Sequence, residues 1–154
     1  SFPFDSVMQL NKFSDYALRV LMYVSRPRDT PYTIAEIAEN LVVSENHLIK
    51  VVHFMAKQQW IITTRGKGGG IRLQPETLSL KLGNILTTLE GDSQIVNCAT
   101  PPCIMRSHCG LKPILDQAMD QFYHSLNQYT LGDVIQKSAP KSFQNDASIS
   151  LINL

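Results

Sequence analysis

The sequence predicts a mainly α fold: a winged helix-turn-helix domain with a small β-hairpin wing, followed by a long C-terminal helix. Three observations predict it. Apolar residues recur at helical spacing in several segments, two short helical segments are separated by a tight turn, and two β-branched segments enclose a glycine-rich tip. With 154 residues, 44% of them hydrophobic, the chain has enough apolar content for a packed core.

Three helices are expected in the first half of the chain. The first covers residues 9–25 and ends before two prolines, which forbid its continuation. Thr33 and Glu36 have the spacing of a capping box at the start of the second helix. Ser44 is the predicted N-cap of a third helix that reaches about Gln59. Two short helices joined by a tight turn, the second rich in polar and basic residues, are typical of a helix-turn-helix with its recognition helix.

The predicted wing follows the third helix. Residues 60–65 and 71–73 have the composition of strands, and residues 66–70 between them read Gly-Lys-Gly-Gly-Gly. Glycines permit positive φ and let the backbone lie close to a phosphate. A dinucleotide-binding loop would require a helix directly after the glycines. Here a strand and then Pro75 follow, so a hairpin is favoured.

The charge distribution favours a nucleic-acid contact although the net charge is only +1. Residues 1–73 carry nine Lys or Arg and six Asp or Glu, a net charge of +3, while residues 74–154 carry five and seven, a net charge of −2. Residues 46–75 hold five basic side chains and no acid. Such a local basic stripe fits a DNA-binding surface. A solvated helix face is the alternative that composition leaves open.

In the second half of the chain the sequence predicts a helix over residues 78–90, a cysteine loop over 91–110, a long helix from about Leu111 and a short helix from Thr130. The apolar stripe of the long helix is wide for a small domain. It therefore favours pairing with a second copy, since such proteins bind two half-sites as two-fold dimers. Packing on its own core is the alternative.

The three cysteines, Cys98, Cys103 and Cys109, fall within twelve residues. Their odd number argues against a disulfide framework. Soft thiolates select iron–sulfur clusters, zinc or copper(I), and gaps of four and five residues suit a cluster better than the two-residue gaps common for zinc. The chain has no fourth cysteine, and His108 adjoins Cys109 too closely to share its metal. Three unrelated structural cysteines remain the alternative.

Five motifs in order carry a family resemblance: residues 13–19, 34–38, 44–50 and 65–73 and the three-cysteine loop. Over about residues 8–137 the chain resembles the NsrR family of nitric-oxide-sensing repressors, bacterial iron–sulfur winged-helix regulators related to IscR. The resemblance implies a homodimer that binds double-stranded operator DNA and is released when nitric oxide attacks the cluster. Genes for nitric-oxide detoxification would then be derepressed.

The resemblance also implies the site residues. Cys98, Cys103 and Cys109 would ligate the cluster, with 4Fe-4S favoured over 2Fe-2S, and the partner subunit's Asp15 would supply the remaining ligand. On sequence alone Asp15 is a surface acid of the first helix. The related IscR branch has a histidine three residues after the last cysteine, where this chain has Lys112. The expected DNA contacts are Ser44, Glu45, Asn46, His47 and Lys50 on the third helix and Arg65, Lys67, Gly68, Gly69 and Arg72 on the wing.

The sequence also excludes some classes. No serine–histidine–acid set or paired carboxylates can be argued, so we expect no enzyme. No apolar run is long enough to span a bilayer and no secretory signal is present, so we expect a cytoplasmic protein without a membrane partner.

Alternative functions are an iron or iron–sulfur-supply sensor of the same fold, a zinc or thiol-based redox sensor, and a cluster carrier that does not bind DNA. The expected divisions are 8–77 for the DNA-binding domain, 78–137 for the cluster-binding loop and dimerisation helix, and 138–154 for a flexible tail.

Overall fold

The computed structural model describes residues 9–91 and 102–138, which fall into two compact units. Described residues 9–80 and 130–138 form the first unit, and the rest form the second. No helix in the described ranges is long and apolar enough to cross a bilayer. The elements in chain order are α1 (Lys12–Val24), α2 (Ile34–Leu41), α3 (Glu45–Lys57), β1 (Ile61–Thr64), β2 (Gly70–Leu73), a 3₁₀ helix (Pro75–Ser79), α4 (Leu82–Glu90), α5 (Leu111–Leu126) and α6 (Leu131–Ser138).

Helix α1 begins three residues later than its apolar pattern predicts. Asn11 is the N-cap, and its Oδ1 accepts a hydrogen bond of 2.7 Å from the backbone N–H of Ser14. A side-chain acceptor at this position satisfies a donor that has no partner within the helix, which fixes where the helix starts. Ala17 and Leu21 are buried on the core side of α1, whereas Leu10, which precedes the helix, is 42% exposed.

The predicted helix-turn-helix is confirmed. Both hydrogen bonds of the capping box are present at α2: the Glu36 N–H donates to Thr33 Oγ1 (3.2 Å) and the Thr33 N–H donates to Glu36 Oε2 (3.1 Å). Ser44 caps α3 by accepting from the N–H of His47 at 3.3 Å. The turn between the helices requires a left-handed residue, and Val42 adopts φ 55° with 89% of its surface exposed. A β-branched side chain in this conformation costs roughly 1–2 kcal/mol, so the turn is strained.

The predicted wing is a two-stranded antiparallel hairpin. Ile62 pairs with Arg72, and β2 is also joined on its other side to Tyr32 by two backbone hydrogen bonds, of 2.9 and 2.7 Å, to Ile71. The tip closes through a 3.0 Å bond from the Gly69 N–H to the carbonyl of Gly66. A Cβ on Gly69 would lie 2.2 Å from the carbonyl oxygen of Thr64, so the tight tip requires glycine there. The bridge between Ile71 and Tyr32 joins the wing to the segment before α2.

The segment after the wing differs from the single helix expected over residues 78–90. A 3₁₀ helix begins at Pro75, and Leu80 is extended (φ −70°, ψ 138°) before α4 starts at Leu82. The cause is Thr77, whose buried hydroxyl donates to the carbonyl of Trp60 at 2.9 Å. That long-range bond holds the segment against the hairpin, so the regular helix starts only after it.

The second unit is held together by contacts between α4 and α5. Asn127 Oδ1 accepts from the N–H of Asn84 at 3.0 Å, and Asn127 Nδ2 donates to Asn84 Oδ1 at 3.2 Å. Gly83 permits this approach, because a Cβ there would lie 2.4 Å from both Asn127 Oδ1 and the carbonyl oxygen of Tyr123. The predicted start of the long helix at Leu111 is confirmed.

Candidate DNA interface and cysteine loop

Helix α3 has one buried and one exposed side. Its core side is made by Leu48, Val51, Val52 and Met55. The predicted contacts Glu45, Asn46 and Lys50 are exposed, and their side chains make no hydrogen bond or ion pair with another residue within 9–91 and 102–138. These polar groups are therefore available to a ligand.

Aromatic contacts join α1 to both ends of α3. The ring of Tyr16 lies 6.0 Å from the ring of His47 at the N-terminal end, and Phe13 packs edge-on against Phe54 toward the C-terminal end, with a centroid distance of 5.3 Å. Asp15 lies between the two α1 aromatic residues. Because Phe13 and Tyr16 belong to α1, a displacement of the start of α1 moves their rings and changes how they pack against α3.

The wing residues fall into two groups. Arg65, Lys67 and Gly68 are exposed at the tip, while Gly69 is half-buried. Arg72 is exposed, but its guanidinium donates to the backbone carbonyls of Asp29 and, at 3.4 Å, Arg28. The structure therefore places Arg72 where it joins β2 to the loop before α2.

That loop is braced by an ion pair that sequence reasoning missed. Arg28 binds Glu36 through two nitrogen–oxygen contacts of 2.7 and 2.6 Å, and its guanidinium lies 3.7 Å from the ring centroid of Tyr32. The hydrogen bonds from Arg28 are the main cause that lowers the pKa of Glu36. Glu36 therefore both caps α2 and links this helix to the preceding loop. A separation of eight residues across a proline gives no sequence signal for such a pair.

A Glu36→Gln variant is expected to lose about 1 kcal/mol of unfolding free energy at neutral pH, because the ion pair and half of the capping box are weakened. Since the folded pKa of Glu36 lies below its ordinary value of 4.5, this contribution is present above that pH. It is lost as the pH falls through the lower folded value. Urea unfolding between pH 3 and 7 measures the difference between wild type and variant.

The matched control is Glu39→Gln, an exposed acid of the same helix that forms no ion pair with the described residues. It should leave the stability within about 0.5 kcal/mol of wild type at every pH. If the difference in unfolding free energy between wild type and Glu36→Gln stays constant down to pH 3, the ion pair does not contribute to stability.

Asp15 lies in the first turn of α1. Its Oδ1 accepts a 2.8 Å hydrogen bond from Arg19 Nε, and this contact is the main cause that raises the pKa of Arg19. The Asp15 side chain is 40% exposed. The structure thus gives Asp15 one intramolecular charge partner and leaves its carboxylate accessible.

The cysteine loop is described from residue 102 onward, and Cys98 lies outside the described residues. Cys103 and Cys109 are half-buried thiols that form no disulfide with each other. Successive turns fold the loop between them, with bonds of 3.1 Å from the Arg106 N–H to the Cys103 carbonyl and 2.9 Å from the His108 N–H to the Met105 carbonyl. Accessible thiols on a folded loop fit a soft metal centre.

Two further observations concern this loop. Lys112, which stands where the IscR branch has its histidine, pairs with Asp116 at 2.6 Å. Within 9–91 and 102–138, no three His, Cys, Asp or Glu side chains are grouped closely enough to hold a metal ion. Two of the three predicted thiols are in that part of the chain, and the predicted partner ligand is in another subunit.

Comparisons with known proteins agree with this architecture. Residues 10–137 match the family model of Rrf2, described as an iron-dependent transcriptional regulator. The oxidized form of Staphylococcus aureus CymR superposes with a TM-score of 0.66 at 21% identity, covering 83% of this chain and 96% of that one. CymR (YrzC), the global cysteine regulator of B. subtilis, gives 0.65 at 20% identity, with 85% and 98% covered.

A third solved structure, T. potens IscR, gives a TM-score of 0.62 at 22% identity and covers 88% of this chain and 90% of that one. At these identities the structural matches show the fold alone, and they confirm the mainly helical winged-helix architecture. The family match spans most of the described chain. This chain therefore belongs to the Rrf2 family of transcriptional regulators.

Proposed function

We propose that this protein is a nitric-oxide-responsive transcription repressor that binds operator DNA as a homodimer carrying an iron–sulfur cluster. The observation that carries the proposal is the combination in one chain of two features. Glu45, Asn46 and Lys50 are exposed on α3 without a partner among the described residues, and three thiols lie within twelve residues. The resemblance to the NsrR family supports nitric oxide as the effector. The family assignment supports transcriptional regulation.

The DNA contacts are proposed on α3 and the wing. The N-terminus of α3 offers backbone N–H groups and a favourable dipole to a phosphate, and Asn46 and Lys50 project from its exposed side. At the tip, Lys67 lies between Gly66 (φ 90°) and Gly68 (φ 77°) and is exposed. In the proposed complex α3 lies in the major groove while the wing tip contacts the backbone.

A Lys67→Ala variant should weaken binding to all duplexes alike, because a phosphate contact carries no sequence information. The slope of log K against log salt concentration should fall by about one for each wing. Fluorescence anisotropy with specific and scrambled duplexes from 50 to 200 mM salt measures both effects. Lys81→Ala, which removes the same charge from the second unit, should leave the slope unchanged. A loss confined to one base position would contradict the phosphate assignment.

Cys98, Cys103 and Cys109 are proposed to hold the cluster, with Asp15 of the partner subunit as the remaining ligand. When bound, the cluster supplies iron that reacts with nitric oxide. Fixing Asp15 to a second protomer would hold the start of α1, and through Phe13 and Tyr16 it would hold α3. Without that bond the two recognition helices would be free to change their spacing, and the affinity for operator DNA would fall.

An Asp15→Ala variant should fold normally, since an exposed ion pair four residues apart contributes at most about 0.5 kcal/mol. Its anaerobic absorbance and circular dichroism spectra should differ from wild type, and its cluster should be lost faster. Asp116→Ala, which removes a comparable pair on α5, is the control and should keep the wild-type spectrum. A wild-type spectrum and nitric-oxide response in Asp15→Ala would remove Asp15 from the site.

The exposed face of α5 supports the homodimer. None of the α5 residues is buried. Its apolar side chains recur at spacings of three and four and form a stripe of Leu111, Ile114, Ala118 and Phe122. Ile114 is 63% exposed and Phe122 is 48% exposed. A second copy would cover this stripe and bring two α3 helices to one duplex.

Anaerobic purification with iron and sulfide analysis, followed by nitric-oxide titration, tests the proposal. Cluster absorbance and binding to duplexes enriched by the protein from a random pool should change together as nitric oxide is added. Cluster-loaded and cluster-free forms that bind the same duplex equally tightly would contradict it. So would DNA binding that persists after nitric oxide has reacted with the cluster.

Two alternatives have specific support. The family description names iron dependence, which favours a sensor of iron or cluster supply. In that case iron starvation would release DNA while nitric oxide would not. An oxidized form is known for S. aureus CymR, which favours a thiol-based sensor. A colourless protein that responds to peroxide without iron would establish that alternative, and a colourless protein that holds zinc would indicate a zinc site.

A further inference from the structure

Helix α3 carries one exposed large apolar side chain. Ile49 is 49% exposed, whereas its chain neighbour Leu48 and the core-facing Val52 are buried. Single apolar residues are common on protein surfaces, so exposure alone assigns no role. The surroundings of Ile49 on the helix are what single it out.

Three of the four residues one helical turn from Ile49 carry exposed hydrogen-bonding groups, and the fourth, Val52, faces the core. Glu45 and His53 lie four residues before and after it, and Asn46 lies three before it, so all three share its face. Their side chains make no hydrogen bond or ion pair with any other described residue. An apolar group among unpartnered polar groups fits a ligand that presents hydrogen-bonding edges and a methyl group side by side.

We propose that Ile49 contacts the C5-methyl group of a thymine in the major groove and determines specificity at that position. The inference rests on the proposed DNA-binding function and goes beyond it by naming the base. Thymine is the only standard base with a methyl group in the major groove, and an asparagine amide can pair with adenine there. Ile49 follows Asn46 by a rise of about 4.5 Å, close to one base-pair step of about 3.4 Å. The two residues would therefore contact neighbouring base pairs.

The charges of the surface support this division of roles. Lys50 and Lys67 suit phosphates, which position the protein without distinguishing sequences. Ile49 has no charge or hydrogen-bonding group, so on this face it gains affinity only from an apolar part of the DNA. A thymine methyl group is the apolar group that the major groove offers.

Replacing thymine by uracil tests the contact, because it removes the methyl group and leaves base pairing intact. Duplexes enriched from a random pool by anaerobically purified wild type are remade with uracil at one thymine at a time. One thymine in each half-site should weaken wild-type binding about fourfold when replaced, the effect of one buried methyl group. An Ile49→Ala variant should show no difference between the thymine and uracil duplexes at that position.

Two variants serve as controls. Ile49→Val keeps a branched apolar side chain and should retain part of the discrimination. Ile62→Ala, the same truncation at 48% exposure on β1, should retain the full fourfold effect. The inference is overturned if wild type binds every uracil duplex as tightly as the thymine duplex. It is also overturned if the affinity of Ile49→Ala still falls fourfold when uracil replaces that thymine. Failure to enrich any duplex would instead overturn the proposed DNA-binding function and this inference with it.

Discussion

A Cys103→Ser variant is expected to lose its iron and sulfide on anaerobic purification and to bind operator DNA at least tenfold more weakly than wild type. Removing an outer-sphere partner of a metal ligand already costs 10–100-fold in affinity, so loss of a ligand itself should cost more than about a hundredfold. The chain has no fourth cysteine to replace it. Because Cys103 is only half-buried, serine should fit without disturbing the fold.

Iron and sulfide per protomer, visible absorbance and duplex anisotropy measure the effect. His108→Ala is the matched control, because His108 is exposed on the same loop and is not a proposed ligand. It should keep the cluster and the response to nitric oxide. Full cluster loading in Cys103→Ser would exclude Cys103 as a ligand, and an unchanged DNA affinity despite cluster loss would uncouple the cluster from DNA binding.

The helix-turn-helix could be predicted because its signals are local. Thr33 and Glu36 are three residues apart, and Ser44 caps α3 through a bond to His47, three residues on. Hydrogen bonds of this range are encoded in residue type and spacing. The hairpin was predictable for the same reason, since the glycines around Lys67 permit the backbone that the tip needs.

The contacts that fix these elements to one another were not predictable. Arg28 reaches Glu36 only because the loop folds back, and Arg72 reaches the carbonyl of Arg28 from 44 residues away. Thr77 likewise delays the start of a predicted helix by bonding to Trp60. Each of these bonds depends on the tertiary arrangement, so neither periodicity nor propensity contains it.

The candidate site shows the same limit. The cysteines are conspicuous from residue type and clustering, and so is the basic stripe around Lys50. Asp15 is different, because its proposed role depends on a second protomer and its own surroundings show only the ion pair with Arg19. Ile49 was missed because periodicity identifies the residues that face the core and assigns no role to an apolar residue outside that stripe.

A Gly83→Ala variant is expected to lose about 2–4 kcal/mol of unfolding free energy, even though alanine is the better helix former by about 1 kcal/mol. The added Cβ would lie 2.4 Å from the Asn127 Oδ1 and 2.4 Å from the carbonyl oxygen of Tyr123. Asn127 could rotate away only by breaking its bond to the N–H of Asn84, one of the α4 donors that lack a partner within the helix. The Tyr123 carbonyl belongs to the backbone of α5 and could move only if α4 and α5 separate.

The sign of this effect distinguishes close packing from helix propensity. Thermal unfolding should show a melting temperature lower by about 10 °C, since 1 kcal/mol corresponds to about 2–4 °C in a chain of this size. Gly110→Ala is the matched control, because Gly110 has φ −81° and a Cβ there would meet no atom within 4 Å. It should leave the melting temperature within about 2 °C of wild type. A Gly83→Ala protein as stable as wild type, or more stable, would mean that α4 and α5 pack less closely than this structure shows.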